Sequence, residues 1–207
     1  DFIEKNTSTD ACIITHPNKG AAIEYFAKRH VYAHSLGVVP NRDTKISSFL
    51  LSKETSTFNV TDSFFLLQDT DLNYIEVFAD QLNTNLSDVA VTLSKVAKNV
   101  YAPPAKDAAF IYIEDEKGEK KFFYAYENKL YPLKASFVNG ELYTTNEGLG
   151  CIYINAQTNM FIYFGSNLCD TNLYKMATGQ EIEGAERVYF KEGIALYKIT
   201  SDLQKTE

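Results

Sequence analysis

The sequence predicts an α+β fold: a mixed α/β segment over residues 1–102, then an antiparallel β meander over 103–207 that forms a small barrel or sandwich. Three observations carry this. Between Ala108 and Gly165, short runs of aromatic and β-branched residues alternate with turn residues, and such side chains fit a pleated, half-buried surface. Upstream, apolar residues recur at helical spacing. Between the two regimes, Ala102-Pro103-Pro104-Ala105 stops any helix and holds the preceding residue extended. The two regions are expected in sequence order and can still pack as a single domain.

Taken in order, Asp1–Asp10 turns polar after Phe2-Ile3 and reads as a loosely held arm. Ala11–Thr15 is a short apolar run and predicts a buried strand. His16-Pro17-Asn18-Lys19-Gly20 ends it, with Asn18 as an expected N-cap. Ala22, Ile23, Phe26, Ala27, His30, Val31 and His34 then predict a helix over Lys19–Leu36, stopped by Gly37. Val38–Lys45 reads as a connector. Ile46–Leu51 and Ser63–Leu67 read as strands. Asp69–Leu82 is read as a helix in preference to a strand. In Leu86–Asn99, Val89, Leu93 and Val96 share one face with Val100 beyond, an amphipathic pattern suited to covering a sheet.

The meander follows. Its strands are Phe110–Ile113, Phe122–Tyr126, Leu130-Tyr131, Ala135–Val138, Glu141–Thr144, Cys151–Ile154 and Met160–Phe164. Asn139-Gly140 is the strongest hairpin signal among their turns. Links this short predict antiparallel neighbours throughout, because parallel pairs need crossovers of about a dozen residues. Beyond Gly165 we expect a short strand at Leu173–Met176, a polar loop at Thr178–Gly184 and a hairpin of Arg187–Lys191 with Ile194–Ile199. The tail Ser201–Glu207 is expected to be exposed.

Composition narrows the function classes. The chain has 207 residues, 45% of them hydrophobic and 23% charged, enough to pack a core without disulfides. The formal net charge of −7 and scattered basic residues disfavour a nucleic-acid partner. No apolar run approaches the roughly 20 residues of a membrane span. The sequence opens on Asp1 with no charged-then-apolar leader, so it reads as a processed chain or as part of a longer one. The odd set Cys12, Cys151 and Cys169 argues against a disulfide framework and for buried thiols in a reducing compartment, although Cys151 and Cys169 can pair if their strands are neighbours. Sequons at Asn6, Asn59 and Asn85 fall near chance frequency. The compartment is left open between virion and cytoplasm for a soluble protein.

The candidate chemistry is sparse. His30 and His34 lie four apart in the predicted helix and share a face, with His16 as a third metal ligand, but H-E-x-x-H is absent. Pro17-Asn18-Lys19-Gly20 has only the outline of a phosphate loop and reads better as a capped turn. Cys12 and Cys151 sit in apolar runs, where burial makes a thiol inert. Asp69, Asp71, Glu76 and Asp80 read as a solvated face. No cofactor is expected. What stands out is that Phe110–Ile113 and Met160–Phe164 are apolar on both faces. Such strands fit first an intramolecular core, covered by the upstream helices or facing the other half of a sandwich. In the competing reading, an interface with another chain, Tyr112, Tyr124, Tyr126, Tyr153 and Tyr163 are the candidate contact residues, since a tyrosine ring is apolar while its hydroxyl tolerates water. The expectation is a non-enzymatic structural or interaction protein, a subunit of a larger assembly such as a virion or phage particle. Its expected partners are other protein subunits, copies of itself included. A metal-dependent hydrolase and a small-molecule or peptide-binding module are the alternatives.

Overall fold

A computed structural model describes residues 2–33, 41–53, 62–74, 109–114, 116–126, 128–145, 147–148, 150–158, 160–166, 168–191 and 193–200. The chain forms two compact units: Asp1–Asn83 with Thr171–Glu207, and Thr84–Asp170. The division differs from a simple cut at the prolines, because the last hairpin returns to the first sheet.

In the first unit, helix α1 (Phe2–Asn6) precedes β1 (Cys12–Ile14). A 3-10 turn at Pro17–Lys19, helix α2 (Gly20–Ala22) and a π turn at Ile23–Ala27 lead to β2 (His30–Val31). Helix α3 (Arg42–Leu51), β3 (Ser63–Gln68) and a 3-10 turn at Asp69–Tyr74 follow. The C-terminal part adds α4 (Asn172–Ala177), β10 (Ala185–Lys191) and β11 (Ile194–Ile199). The sheet runs β10-β11-β3-β1-β2. β1 is parallel to both β2 and β3, and β11 is antiparallel to β3.

Successive residues of a strand face opposite sides, so β3 serves two cores. Phe64 and Leu66 pack with Ile13, Leu196, Ile23 and Ala27. On the other side Phe65 stacks on Phe49 of α3 at 4.8 Å. The connection after β1 therefore covers one face, and α3 the other.

Several expectations change here. The helix drawn to Leu36 ends at Ala27, because Lys28 takes a left-handed conformation (φ 52°) and the chain enters β2. Its cap is His16, whose Nδ1 accepts from the Asn18 amide at 3.3 Å, and not Asn18. Ile46–Leu51 is helical: Ile46, Phe49 and Leu50 bury a stripe at i, i+3 and i+4. Leu173–Met176 is also helical, and its Asn172 ties it to α3 by donating from Nδ2 to the Phe49 carbonyl at 3.0 Å. That carbonyl lies in the last turn of α3, where helices leave acceptors unsatisfied. The expected loose arm is α1, held by Arg29. The buried Arg29 guanidinium donates to the carbonyls of Glu4, Thr7 and Ala27 and to the Thr7 hydroxyl at 3.0–3.1 Å. Of Asp69–Leu82, Asp69–Tyr74 is the 3-10 turn and the rest lies outside the described residues, as do Leu86–Asn99, Pro103-Pro104 and the tail.

The second unit contains β4 (Ala109–Glu114), β5 (Lys120–Tyr126), β6 (Lys129–Val138), β7 (Glu141–Thr144), β8 (Gly150–Asn155) and β9 (Met160–Phe164). Their order is β4-β5-β6-β8-β9, with β7 also on β6. β5 pairs with residues 129–132 of β6 and β7 with residues 135–138. Asn139 and Gly140 both have positive φ, which the tight turn into β7 requires. The one departure from an antiparallel meander is that β8 runs parallel to β6. No long crossover is needed, since β7 runs back antiparallel to β6 and β8 then pairs with β6 as well. Between β7 and β8, Thr145 bonds to the Lys134 carbonyl at 2.8 Å, and Gly148 passes so close that a Cβ would collide with the Leu133 backbone. Cys151 and Cys169 form a disulfide with Cα atoms 5.6 Å apart, against the expected free thiols. β8 supplies Cys151, and the turn after β9 brings Cys169 back. The architecture is α+β with two sheets of mostly antiparallel strands, and neither closes into a barrel. Among the described residues no helix is long and apolar enough to cross a membrane.

Candidate binding sites: a strand-end crevice and an uncovered sheet face

In the first unit the parallel strands β1 and β3 end side by side. The turns that leave them meet at their C-terminal ends, the position where sheets of this kind usually place a ligand crevice. After β1 come His16 and Lys19; after β3 come Asp69, Asp71 and Tyr74. Lys19 Nζ lies 2.6 Å from Asp71 Oδ1. The contact is an ion pair by distance, but neither atom completes a well-angled hydrogen bond. Asp71 is 1% exposed, and its other oxygen accepts from the Gln68 amide at 2.9 Å. The His16 ring stacks on Tyr74 at 4.2 Å. The Asp69 amide donates to the Gly193 carbonyl at 2.7 Å, tying the crevice to the last hairpin.

Burial weakens the hold of Lys19 on its proton, and the Asp71 carboxylate opposes that loss. Burial likewise pushes His16 below its ordinary value, again opposed by Asp71. The crevice thus holds one fixed charge pair beside an imidazole–phenol stack. Cys12, the free thiol, has a pKa raised by burial, as an inert thiol should.

The histidines do not gather. His30 is exposed on β2, His34 lies outside the described residues, and His16 caps the turn after β1. The premise of a shared helical face fails at Lys28. Among the described residues no group of three His, Cys, Asp or Glu side chains is arranged to hold a metal. The Lys19–Asp71 pair was visible only as two unrelated turns, and nothing in residue spacing joins positions 52 apart.

In the second unit the five tyrosines separate. Tyr124 stacks on Tyr163 at 4.9 Å, Tyr153 stacks on Phe137 at 5.1 Å, and all three tyrosines are buried. The side chain of Tyr126 lies outside the described residues. Tyr112 is 61% exposed. With it on β4, Ile111 is 37% and Ile113 53% exposed, and Leu130 on β6 is 56% exposed. Register explains the pattern. Ile111 faces Phe123, which faces Pro132, while Ala125 faces Leu130. Cross-strand partners share a face, so Ile111, Phe123 and Pro132 form an apolar band, with Leu130 and Ile113 on the same face and Lys121 opposite Ile113 at its border. Phe110, Tyr112, Phe122, Tyr124 and Tyr131 lie on the opposite face, where Phe122 and Tyr124 are buried. β4 is an edge strand of its sheet.

A scan against protein-family models finds no match, and no curated protein matches. Among solved structures, the chain is similar to the crystal structure of the C. jejuni PglB C-terminal domain, with TM-score 0.60 over 96% of this chain and 96% of that chain. Sequence identity is 10%, so the likeness concerns the fold.

Proposed function

We propose that this chain is a non-enzymatic interaction domain, working as a module or subunit of a larger assembly whose partners are proteins. The observation that carries the reading is the band of Ile111, Phe123 and Pro132, with Ile113 and Leu130 on the same face, beside the bare edge of β4. Scattered apolar side chains on a surface need no explanation, whereas a contiguous apolar band on three adjacent strands marks a contact site. The fold likeness to a domain taken from a longer protein is compatible with a modular role. Nothing singles out a virion among assemblies.

Native mass spectrometry with and without a chelator tests this. A defined oligomer or complex that the chelator leaves intact is the expected result. A monomer carrying one chelatable metal would overturn it in favour of the metal-dependent hydrolase. A second reading, a small-molecule or peptide-binding module, is favoured by the strand-end crevice, with its buried Lys19–Asp71 pair beside His16 and Tyr74. Its signature is a ligand whose binding is lost in Lys19→Met and kept in Leu130→Lys.

A further inference from the structure

Resting on the interaction reading, we propose that β4 pairs with β4 of a second copy as a two-fold antiparallel ladder. An edge strand presents a row of unpaired amides and carbonyls, and natural proteins normally blunt it with proline, an inward lysine or a bulge. β4 reads Ala-Phe-Ile-Tyr-Ile-Glu, with none of these, and its register with β5 runs unbroken. Its exposed side chains lie on both faces of the sheet, Ile111 and Ile113 on one and Tyr112 on the other. A partner resting on one face would cover only half of them, while a strand added at the edge meets both.

A second copy fits this edge by its own sequence. In the antiparallel register centred on Ile111, Ile111 faces Ile111 of the second copy and Phe110 faces its Tyr112. Glu114 then falls outside the apolar pairs. It is also matched within its own sheet, where it sits opposite Lys120. The strand end is therefore close to neutral, and two copies approach without strong repulsion. Two-fold pairing is the commonest way for identical chains to associate.

Size sets the strength. Six residues give roughly 20 Å of ladder at a strand's rise. A standard interface covers roughly 800 Å² per partner, more than this ladder provides. The dimer is accordingly weak and reversible.

Sedimentation equilibrium of the full chain over a wide concentration range tests the pairing. The wild type is expected to dimerise. Ile111→Lys, which sets two ammonium groups opposite each other, weakens the dimer at least tenfold, and so does Ile111→Glu. An equimolar mixture of the two variants recovers a heterodimer, which neither a misfolded variant nor an unrelated contact would do. Tyr25→Lys, at an exposed position of the first unit outside the band, leaves the dimer intact. A wild type that stays monomeric at every concentration overturns self-pairing, while the broader interaction reading stands or falls on its own native-mass test. A dimer that survives both Ile111 variants, or that Tyr25→Lys abolishes, overturns the edge ladder and moves the contact to another surface.

Discussion

The first sheet buries Phe64 and Leu66 on one face and Phe65 and Leu67 on the other, whereas the β4 side of the second sheet leaves Ile111, Ile113 and Leu130 in solvent. Both sheets are rich in apolar strand residues, so composition does not separate them. Their coverings do. In the first unit every connection between parallel strands carries helical turns, and each lays apolar side chains on a face. In the second, the links between β4, β5 and β6 are short turns with nothing to spare for a second layer. The same kind of strand is core in one unit and partly solvent-exposed in the other. The exposed aliphatic residues carry the proposed contact, whereas Tyr124, Tyr153 and Tyr163 fill the interior of their own unit.

The comparison can be broken most forcefully at the disulfide. Cys151–Cys169 spans 18 residues, and closing a loop of that size stabilises by about 3 kcal/mol. Reduction, or Cys151→Ala with Cys169→Ala, is expected to lower denaturant stability by that amount, and equal stability in reducing and oxidising buffer would contradict the pairing.

Next comes the rigid unit. Lys19→Met strands Asp71 without its counter-charge, and the expected loss is about 2–3 kcal/mol, trimmed because the lysine is partly exposed. Lys19→Met combined with Asp71→Asn should recover part of it. A double-mutant cycle in urea checks this, and strict additivity would show that the two groups do not interact. Arg29→Met removes the clamp on α1 and leaves several carbonyls without their donor, a loss of about 2 kcal/mol by the same measurement.

The smallest effect is on pH dependence. Burial depresses His16 below its ordinary 6.5, so the unfolded chain takes up the proton more readily than the folded one. The contribution is therefore complete above 6.5 and is lost as pH falls from there through the folded value. Thermal midpoints compared at about pH 8 and about pH 5.5 should fall less steeply for His16→Asn than for the wild type. Parallel slopes would remove His16 from the account.

How much of this was legible in the sequence follows the same divide. The hairpins of the second unit declare themselves through local turn chemistry, and Asn139-Gly140 forms the tight turn its residues demand. The parallel placement of β8 was not legible, because it depends on Gly148 passing close against the Leu133 backbone, which no residue spacing announces. In the first unit, α3 and α4 form where Ile46–Leu51 and Leu173–Met176 read as strands. Each is short; α3 opens on the polar turn Arg42–Lys45, and α4 is buried nearly all round, so neither shows a clean helical period. The long helix failed for the opposite reason. Its apolar spacing continues through His30 and His34, while the backbone leaves the helix at Lys28, a left-handed position that no residue preference announces. The crevice joins two turns each noticed singly, and only the parallel pairing of β1 with β3 brings Lys19 to Asp71. The exposed band needed the strand register, which decides that Ile111, Phe123 and Pro132 lie side by side.

The central claim is that the uncovered edge of the second sheet is a place of association. Hydrogen exchange read by mass spectrometry on the peptide spanning Ala109–Glu114, at low and high protein concentration, tests it most directly. The account predicts that β4 amides gain protection as concentration rises while those of β3, already paired on both sides within the first sheet, do not change. Equal exchange of β4 at both concentrations would contradict it.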